Sequence, residues 1–224
     1  MSSLQRPSSL PVSESALVTS PAGELPRSAT ISHTDVKIIC STCLLRPLEL
    51  GDATSLARHA NDHGVWQNLR DRFPHPYSEA DAIAYIEHLA TRPVLTSFGI
   101  DVAGEAIGSI SLMVGEDIAR QTAEVGYWIG RAFWGRGIMT DTLRAMTRYA
   151  LDELDLVRVF AVPFVTSTRS CRVLEKVGYV KEGLMRRSAV KEGRILDQWR
   201  YAAYSDRPLP SSGHLTIGAP DARE

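Results

Sequence analysis

Several features are scarce in this sequence, and each scarcity narrows what the protein can be. No apolar run approaches the ~18 residues that a transmembrane helix needs, so no membrane partner is expected. The opening residues, Met1 to Ser15, lack the apolar stretch of a secretory signal. Three cysteines, an odd number, do not suggest a disulfide framework. Neither sign of charge dominates: 25 Lys and Arg face 26 Asp and Glu, and the formal charge is −1. Nothing in that balance argues for nucleic acid as a partner. No internal repeat is visible. These absences lead to the expectation of a soluble cytoplasmic protein, and 44% hydrophobic residues suffice for a real core.

What is present centres on one stretch, Arg131 to Asp141 (RAFWGRGIMTD). The residues before it, Ala123 to Ile129, are β-branched and aromatic, which predicts a strand. After it, Met139, Leu143, Met146, Ala150 and Leu154 recur at helical spacing. A strand therefore runs into a glycine-bearing loop that opens a helix. First-turn amides have no partners within a helix and carry the positive end of its dipole, which suits a phosphate. Gly135 and Gly137 allow close approach to the backbone. The loop is neither a Walker A nor a GxGxxG fingerprint, and plain packing of helix on strand uses the same residue types.

The rest of the chain alternates in kind. Residues 1–36, rich in Ser and Pro, show no period and are expected to be a disordered tail. Thr42–Leu48 is a predicted strand, and Asp52 a predicted N-cap of a helix through Leu56 and Ala60. Ser78, with Asp81 three residues on, opens a second helix through Ile83, Ile86 and Leu89. Thr96–Val102 and Ala106–Val114 form a predicted hairpin, and Val157–Val162 a further strand. A short helix follows Ser167 and ends at Gly178; Tyr179–Leu184 and Arg194–Tyr204 pair last. Residues 205–224 are expected to be a C-terminal tail.

The wording AEVGYWIG followed by WGRGIMTD, with SCRVLEKVGYVKEG downstream, resembles the GNAT superfamily of N-acetyltransferases, in its RimJ/RimL-like branch. Of the superfamily pattern Gln/Arg-x-x-Gly-x-Gly/Ala, Trp134 takes the first place, Gly137 the glycine and Met139 the last. The resemblance covers roughly residues 42–204, so residues 37–204 are expected to be the N-acetyltransferase domain. It implies a mixed α/β (α+β) fold: a mainly antiparallel sheet with splayed central strands and helices on both faces. It also implies acetyl-CoA as cosubstrate, an amine acceptor (a peptide N-terminus or a small molecule), and a monomer or homodimer. For cofactor contact it points to Tyr127, Trp128 and Ile129 on the strand and to Trp134, Gly135, Arg136, Gly137, Ile138, Met139 and Thr140 on the loop and first turn. Ser167 stands where the branch usually has Asn.

Acetyl transfer to an amine needs a path for one proton off the amine, whose pKa is ~10.4 for an alkyl amine and ~7.7–8 for an α-amine. Glu124, in mid-strand, is the expected base; the alternatives are a pair with an arginine or a solvent-facing carboxylate. Ser170 is the expected acid, or else a buried hydroxyl bonding a carbonyl one turn back. Ser167 doubles as a possible N-cap. Trp66, Phe73 and Tyr77 border the acceptor or merely cover the core, and His59, His63 and His75 are expected to be solvated. Cys40-Ser41-Thr42-Cys43 is a CxxC without a second pair, and on a strand residues three apart face opposite ways. Neither metal nor redox use is expected there, and Cys171 is not expected to be a nucleophile. Two rival functions remain open: a module that binds acyl-CoA without turnover, and a generic phosphate-binding α/β protein.

Overall fold

The computed structural model describes residues 36–92 and 94–206. The two expected tails lie outside the described residues, apart from Val36, Ser205 and Asp206. The strands are β1 (Ile38–Ile39), β2 (Leu44–Arg46), β3 (Ser97–Val102), β4 (Glu105–Val114), β5 (Thr122–Ile129), β6 (Arg158–Ala161), β7 (Val180–Lys191) and β8 (Arg194–Tyr204). The helices are α1 (Ala53–Ala60), α2 (His63–Trp66), α3 (Glu79–Ala90), α4 (Ile138–Asp152) and α5 (Thr168–Val177). All eight strands join one sheet in the order β1-β2-β3-β4-β5-β6-β8-β7. Every neighbouring pair is antiparallel except β5 with β6, which are parallel.

Strand alternation sends successive side chains to opposite faces, and helices cover both. On one face Ile107, Ile110 and Leu112 of β4 pack with Leu143 and Met146 of α4 and Leu174 of α5, all without exposed surface. Fully burying a side chain of this size stabilises by about 1.5–3 kcal/mol. On the other face Ala106 packs with Leu56 and Ala60 of α1 and with Ala82 and Ile86 of α3. The expected apolar stripe of α4 holds, with Ile138 added and Leu154 beyond the helix end.

The caps follow chemistry that the sequence shows in one case and hides in another. At α3 the Ser78 hydroxyl accepts the Asp81 N–H, and the Asp81 carboxylate accepts the Ser78 N–H at 2.8 Å, a reciprocal capping box. Asp52 precedes α1 but does not cap it with its side chain. Its carboxylate instead takes two hydrogen bonds of 2.8 Å from Arg46, whose Nε donates to Asp101 at 2.7 Å. An arginine out of reach of any local sequence rule outcompetes the helix amides, because the charge-assisted bidentate pair is stronger.

Two expected strands differ in extent. The first stops at Arg46, since Pro47 has no N–H for the ladder. The one expected over Tyr179–Leu184 runs on to Lys191, because an irregularity between Met185 and Ala189, with Arg187 at φ 50°, hides its alternation. Cys40 and Cys43 do not lie on one strand: they flank the turn between β1 and β2.

Candidate active site

The glycine loop has the geometry its sequence demands. Gly135 and Gly137 have φ of 79° and 83°, a region that other residues enter only under strain. Gly137 is the N-cap of α4, and no side chain caps the helix there. A Cβ built on either glycine would meet nothing within 4 Å, so the space over these amides is open. The loop is pinned from beneath: the Trp134 indole donates to the Ile129 C=O at 2.8 Å. Arg169 and Arg131 lie over the Trp134 ring at 5.0 and 6.0 Å, and Arg136 over Phe133 at 5.2 Å. Three guanidiniums thus lie over the rings of the loop that carries the open backbone amides, with Arg131 also 3.8 Å from Asp62, and open first-turn amides of this kind suit an anion. Ile138 is buried and Met139 half-buried in the α4 core, and Thr140 is half-buried beside them.

The sheet opens next to this loop. The β5–β6 ladder pairs only Thr122 with Arg158, Ala123 with Val159 and Glu124 with Phe160, while β5 continues to Ile129. The Thr122 C=O and the Gly130 N–H bond toward β4, each at 2.9 Å. Backbone groups alternate sides along a strand, so Val125, Tyr127 and Ile129 present theirs to the β6 side. The Ile129 carbonyl is taken by Trp134, whereas the Tyr127 N–H fronts the gap.

On the α5 face of this gap the Tyr127 hydroxyl lies 2.8 Å from Ser170 Oγ. Burial pushes the Tyr127 phenol well above its ordinary pKa, against the opposing effect of the Ser170 hydrogen bond. The phenol therefore stays protonated and can donate. Ser167 is the N-cap of α5 without a side-chain cap bond; its hydroxyl donates to Asn68 Oδ1 at 2.6 Å.

Glu124 and Trp128 project to the opposite face. Glu124 Oε1 accepts a hydrogen bond from Arg70 in an ion pair, the arrangement named above as the alternative to catalysis. The pair stands on the wall between two cavities of about 710 and 500 Å³, which also share Asn68, Leu69 and Val162. The larger cavity takes in Ser170 and Tyr127 together with Glu124, so it passes through the opened sheet from one face to the other. Its far wall is Phe73, Tyr77, Tyr85 and Trp128. Phe73 stacks on Tyr77 at 4.7 Å and meets Trp128 edge-on at 5.6 Å, and the Tyr85 hydroxyl bonds Ser109 and Ser111.

Trp66 is outside both cavities: it stacks on His75 at 5.1 Å and carries the buried Lys191 ammonium 3.5 Å from its ring centre. His59 is not solvated; it is half-buried, 2.5 Å from Glu105 Oε1, and packed against Gly130. His63 pairs with Glu192 at 2.9 Å. Arg70, Arg72, Tyr85 and Asn68 were invisible as site residues, because no spacing ties them to the loop at 131–141. Among the described residues no group of three His, Cys, Asp or Glu could hold a metal ion, and no helix is long and apolar enough to cross a membrane.

An anion cradle at a helix start, beside a mixed sheet parted between its two parallel strands, defines the class of acyltransferases that use acetyl-CoA. Residues 43–180 match the acetyltransferase (GNAT) domain family, and the chain belongs to that family of N-acetyltransferases. The probable N-acetyltransferase YjcK of Bacillus subtilis is 34% identical over 166 residues, 68% of this chain and 88% of that protein. The uncharacterized N-acetyltransferase p20 of Bacillus licheniformis is 29% identical over 162 residues, 70% of this chain and 90% of that one. Among solved structures, the ribosomal α-N-protein acetyltransferase RimL in complex with coenzyme A superposes with a TM-score of 0.69 at 22% identity, covering 76% of this chain and 99% of its own. RimJ of Mycobacterium smegmatis, with coenzyme A disulfide, also gives 0.69 at 22%, over 77% and 89%. At that identity the likeness carries the fold.

Proposed function

We propose that the protein moves an acetyl group from acetyl-CoA directly to a primary amine, the N-terminus of a protein or a small molecule. The early end of the β5–β6 ladder carries this reading, because it joins a proton donor on one face to a carboxylate on the other through one cavity. The cosubstrate fits the residues present. The first-turn amides of Ile138, Met139 and Thr140, with Gly135, Arg136 and Gly137, receive the pyrophosphate, and Trp134 holds the loop in place. The strand edge of Tyr127, Trp128 and Ile129 receives the pantetheine arm, and Ser167 stands at its flank. Tyr127 N–H is the oxyanion donor. The amine gives its proton to Glu124, whose Oε2 is not engaged by Arg70, and the departing thiolate takes one from Ser170 or from Tyr127 behind it.

The acceptor wall favours an amine that also carries a carboxylate. The cavity is lined by Arg70, Arg72, His88 and Arg92 against two acids, Asp81 and Glu124. Both acids are engaged, Asp81 by Ser78 and Glu124 by Arg70. Arg72 lies 2.9 Å from Met113 Sδ and Arg92 lies 3.3 Å from His88 Nε2; among the described residues neither meets a carboxylate. Met113 is directly across the ladder from Glu124, which puts Arg72 beside the base. A free amino acid or a peptide with an acidic residue near its start matches this field.

Thiol release from acetyl-CoA, measured over amino acids, acidic peptides, basic peptides and polyamines, tests the reading. Release with the acidic acceptors is expected, and weaker release with the basic ones. The Arg70–Glu124 pair favours the second reading, a module that binds acyl-CoA without turnover. Tight coenzyme A binding with no release for any amine would establish it.

A further inference from the structure

Cys40 and Cys43 take no part in the site above. They bracket Ser41 and Thr42 at the tip of the β1–β2 hairpin, where the Cys40 N–H donates to the Cys43 C=O at 2.9 Å. The register below them, Ile38 with Leu45 and Ile39 with Leu44, sets Cys40 directly opposite Cys43. Opposite residues in a hydrogen-bonded pair stand about 5.5 Å apart at Cα, inside the ~4.4–6.8 Å that a disulfide spans. A turn lies between the two, so the alternation that would separate them along one strand does not apply; Cys40 Sγ lies 3.9 Å from the Ile38 C=O. Both are free thiols here.

Their surroundings divide the labour. Cys43 is buried, with Sγ 3.3 Å from Thr142 Oγ1, itself a hydroxyl without exposed surface on α4. Thr42 Oγ1 donates to Asp141 at 3.2 Å, so the hairpin tip is seated on the start of the helix that the glycine loop opens. The neighbouring Cys40 thiol pulls the Cys43 thiol below its ordinary pKa, with help from Thr142 and Thr42 against burial. The Cys43 neighbour, with burial, pushes Cys40 up. Cys171 differs: burial raises its thiol, and among the described residues it has no thiol neighbour.

We propose that Cys40 and Cys43 are a peroxide-reactive dithiol that closes to a disulfide within the hairpin tip. The oxidant is hydrogen peroxide, small enough to reach a sulfur with little exposed surface. The Cys43 thiolate attacks one peroxide oxygen; an S–O bond forms, the O–O bond breaks, and the hydroxide released takes up a proton to become water. Cys40 then loses its proton and attacks the Cys43 sulfur. The S–S bond forms, the S–O bond breaks, and a second water leaves. Two thiols are oxidised and one peroxide is reduced to two waters.

The test treats the reduced full chain with equimolar hydrogen peroxide and follows intact mass and unreduced peptide maps. The expected product has lost two hydrogens, both from the peptide holding residues 40 and 43, regains them with dithiothreitol, and leaves Cys171 open to alkylation. Cys40→Ser should stop at a sulfenic acid on Cys43, trapped by dimedone. Cys43→Ser should react no faster than Cys171. Oxygen adducts without a Cys40–Cys43 link, or Cys171 reacting first in the folded protein, would overturn the proposal.

Discussion

The two faces of the sheet hold the two halves of the site by different means. On the α4 and α5 face, the half assigned to the cosubstrate is mostly backbone: open amides at Gly135 to Thr140 and the unpaired edge of β5. On the α1 and α3 face, the half assigned to the acceptor is mostly side chain: Glu124, Arg70, Arg72, Phe73, Tyr77 and Tyr85. A site made of backbone is damaged by adding atoms, whereas a site made of side chains is damaged by taking functional groups away. The comparison therefore predicts opposite responses to opposite kinds of substitution.

The largest effect is expected on the side-chain half. Glu124→Gln keeps the shape and removes the proton acceptor, and loss of a general base is typically worth ~10²–10⁴ in rate. Turnover at neutral pH should fall at least tenfold, with acetyl-CoA affinity little changed. The gap should narrow as pH rises, sooner for an α-amine than for a lysine-like amine, following their ~2–3 unit pKa difference. Wild-type turnover across that range would remove Glu124 from the mechanism and leave it as the partner of Arg70.

Tyr127→Phe comes next; it tests a side chain in the cosubstrate half, whose hydroxyl meets Ser170 while its backbone lines the gap. Turnover should fall about tenfold and acetyl-CoA binding should hold, because only a proton donor is lost. A stability signature accompanies it. Burial raises the Tyr127 phenol, and burial likewise takes Tyr179 up to about 12. Below the ordinary tyrosine pKa of ~10, folded and unfolded chains bind these protons equally. Above it the unfolded chain ionises first, so stability is lost as pH rises toward the folded values. Melting curves at about pH 9 and pH 11 should show Tyr127→Phe losing less than wild type does.

The same contrast explains what could be seen in the sequence. Backbone function leaves a local mark: only glycine suits φ near 80°, so Gly135 and Gly137 announced the cradle, and Ser78 with Asp81 announced the start of α3. Side-chain function left none. Arg70 reaches Glu124 across 54 positions from a loop after the four-residue helix α2, too short for periodicity to show. Glu124 was found as a mid-strand carboxylate, but its partner was not identified. Ser167 stands at the cap position of α5, but its hydroxyl bonds Asn68 rather than the helix amides, which no local rule in the sequence shows. For the CxxC, period-two logic was applied across a turn, so the sequence hid that Cys40 and Cys43 stand opposite one another in the β1–β2 hairpin.

On the backbone half, Gly137 separates strain from charge. Gly137→Ala adds a methyl group that meets nothing within 4 Å but forces a left-handed alanine, at about 1 kcal/mol. Gly137→Asp adds the same strain and a negative charge at the positive end of α4, where a charge is worth up to ~2 kcal/mol. Coenzyme A affinity should fall roughly tenfold further for Asp than for Ala, each ~1.4 kcal/mol being tenfold. Equal affinity for the two folded variants would place the pyrophosphate elsewhere.

The smallest effect sharpens the acceptor half. Arg72 is exposed, and its guanidinium meets a thioether rather than a carboxylate, so the fold does not depend on its charge. Arg72→Gln keeps a polar side chain of similar reach and removes the cation beside Glu124. An exposed pair is worth ~0.2–1 kcal/mol, so KM for an acidic acceptor should rise about threefold while kcat and acetyl-CoA affinity stay level. For a neutral acceptor KM should not move. Added salt should weaken the acidic acceptor in wild type and do so less in the variant, because screening acts on the charge that has been removed. An equal rise in KM for acidic and neutral acceptors would mean that Arg72 shapes the cavity wall rather than reading charge. The preference for a carboxylate-bearing amine would then rest on Arg92 and His88 alone.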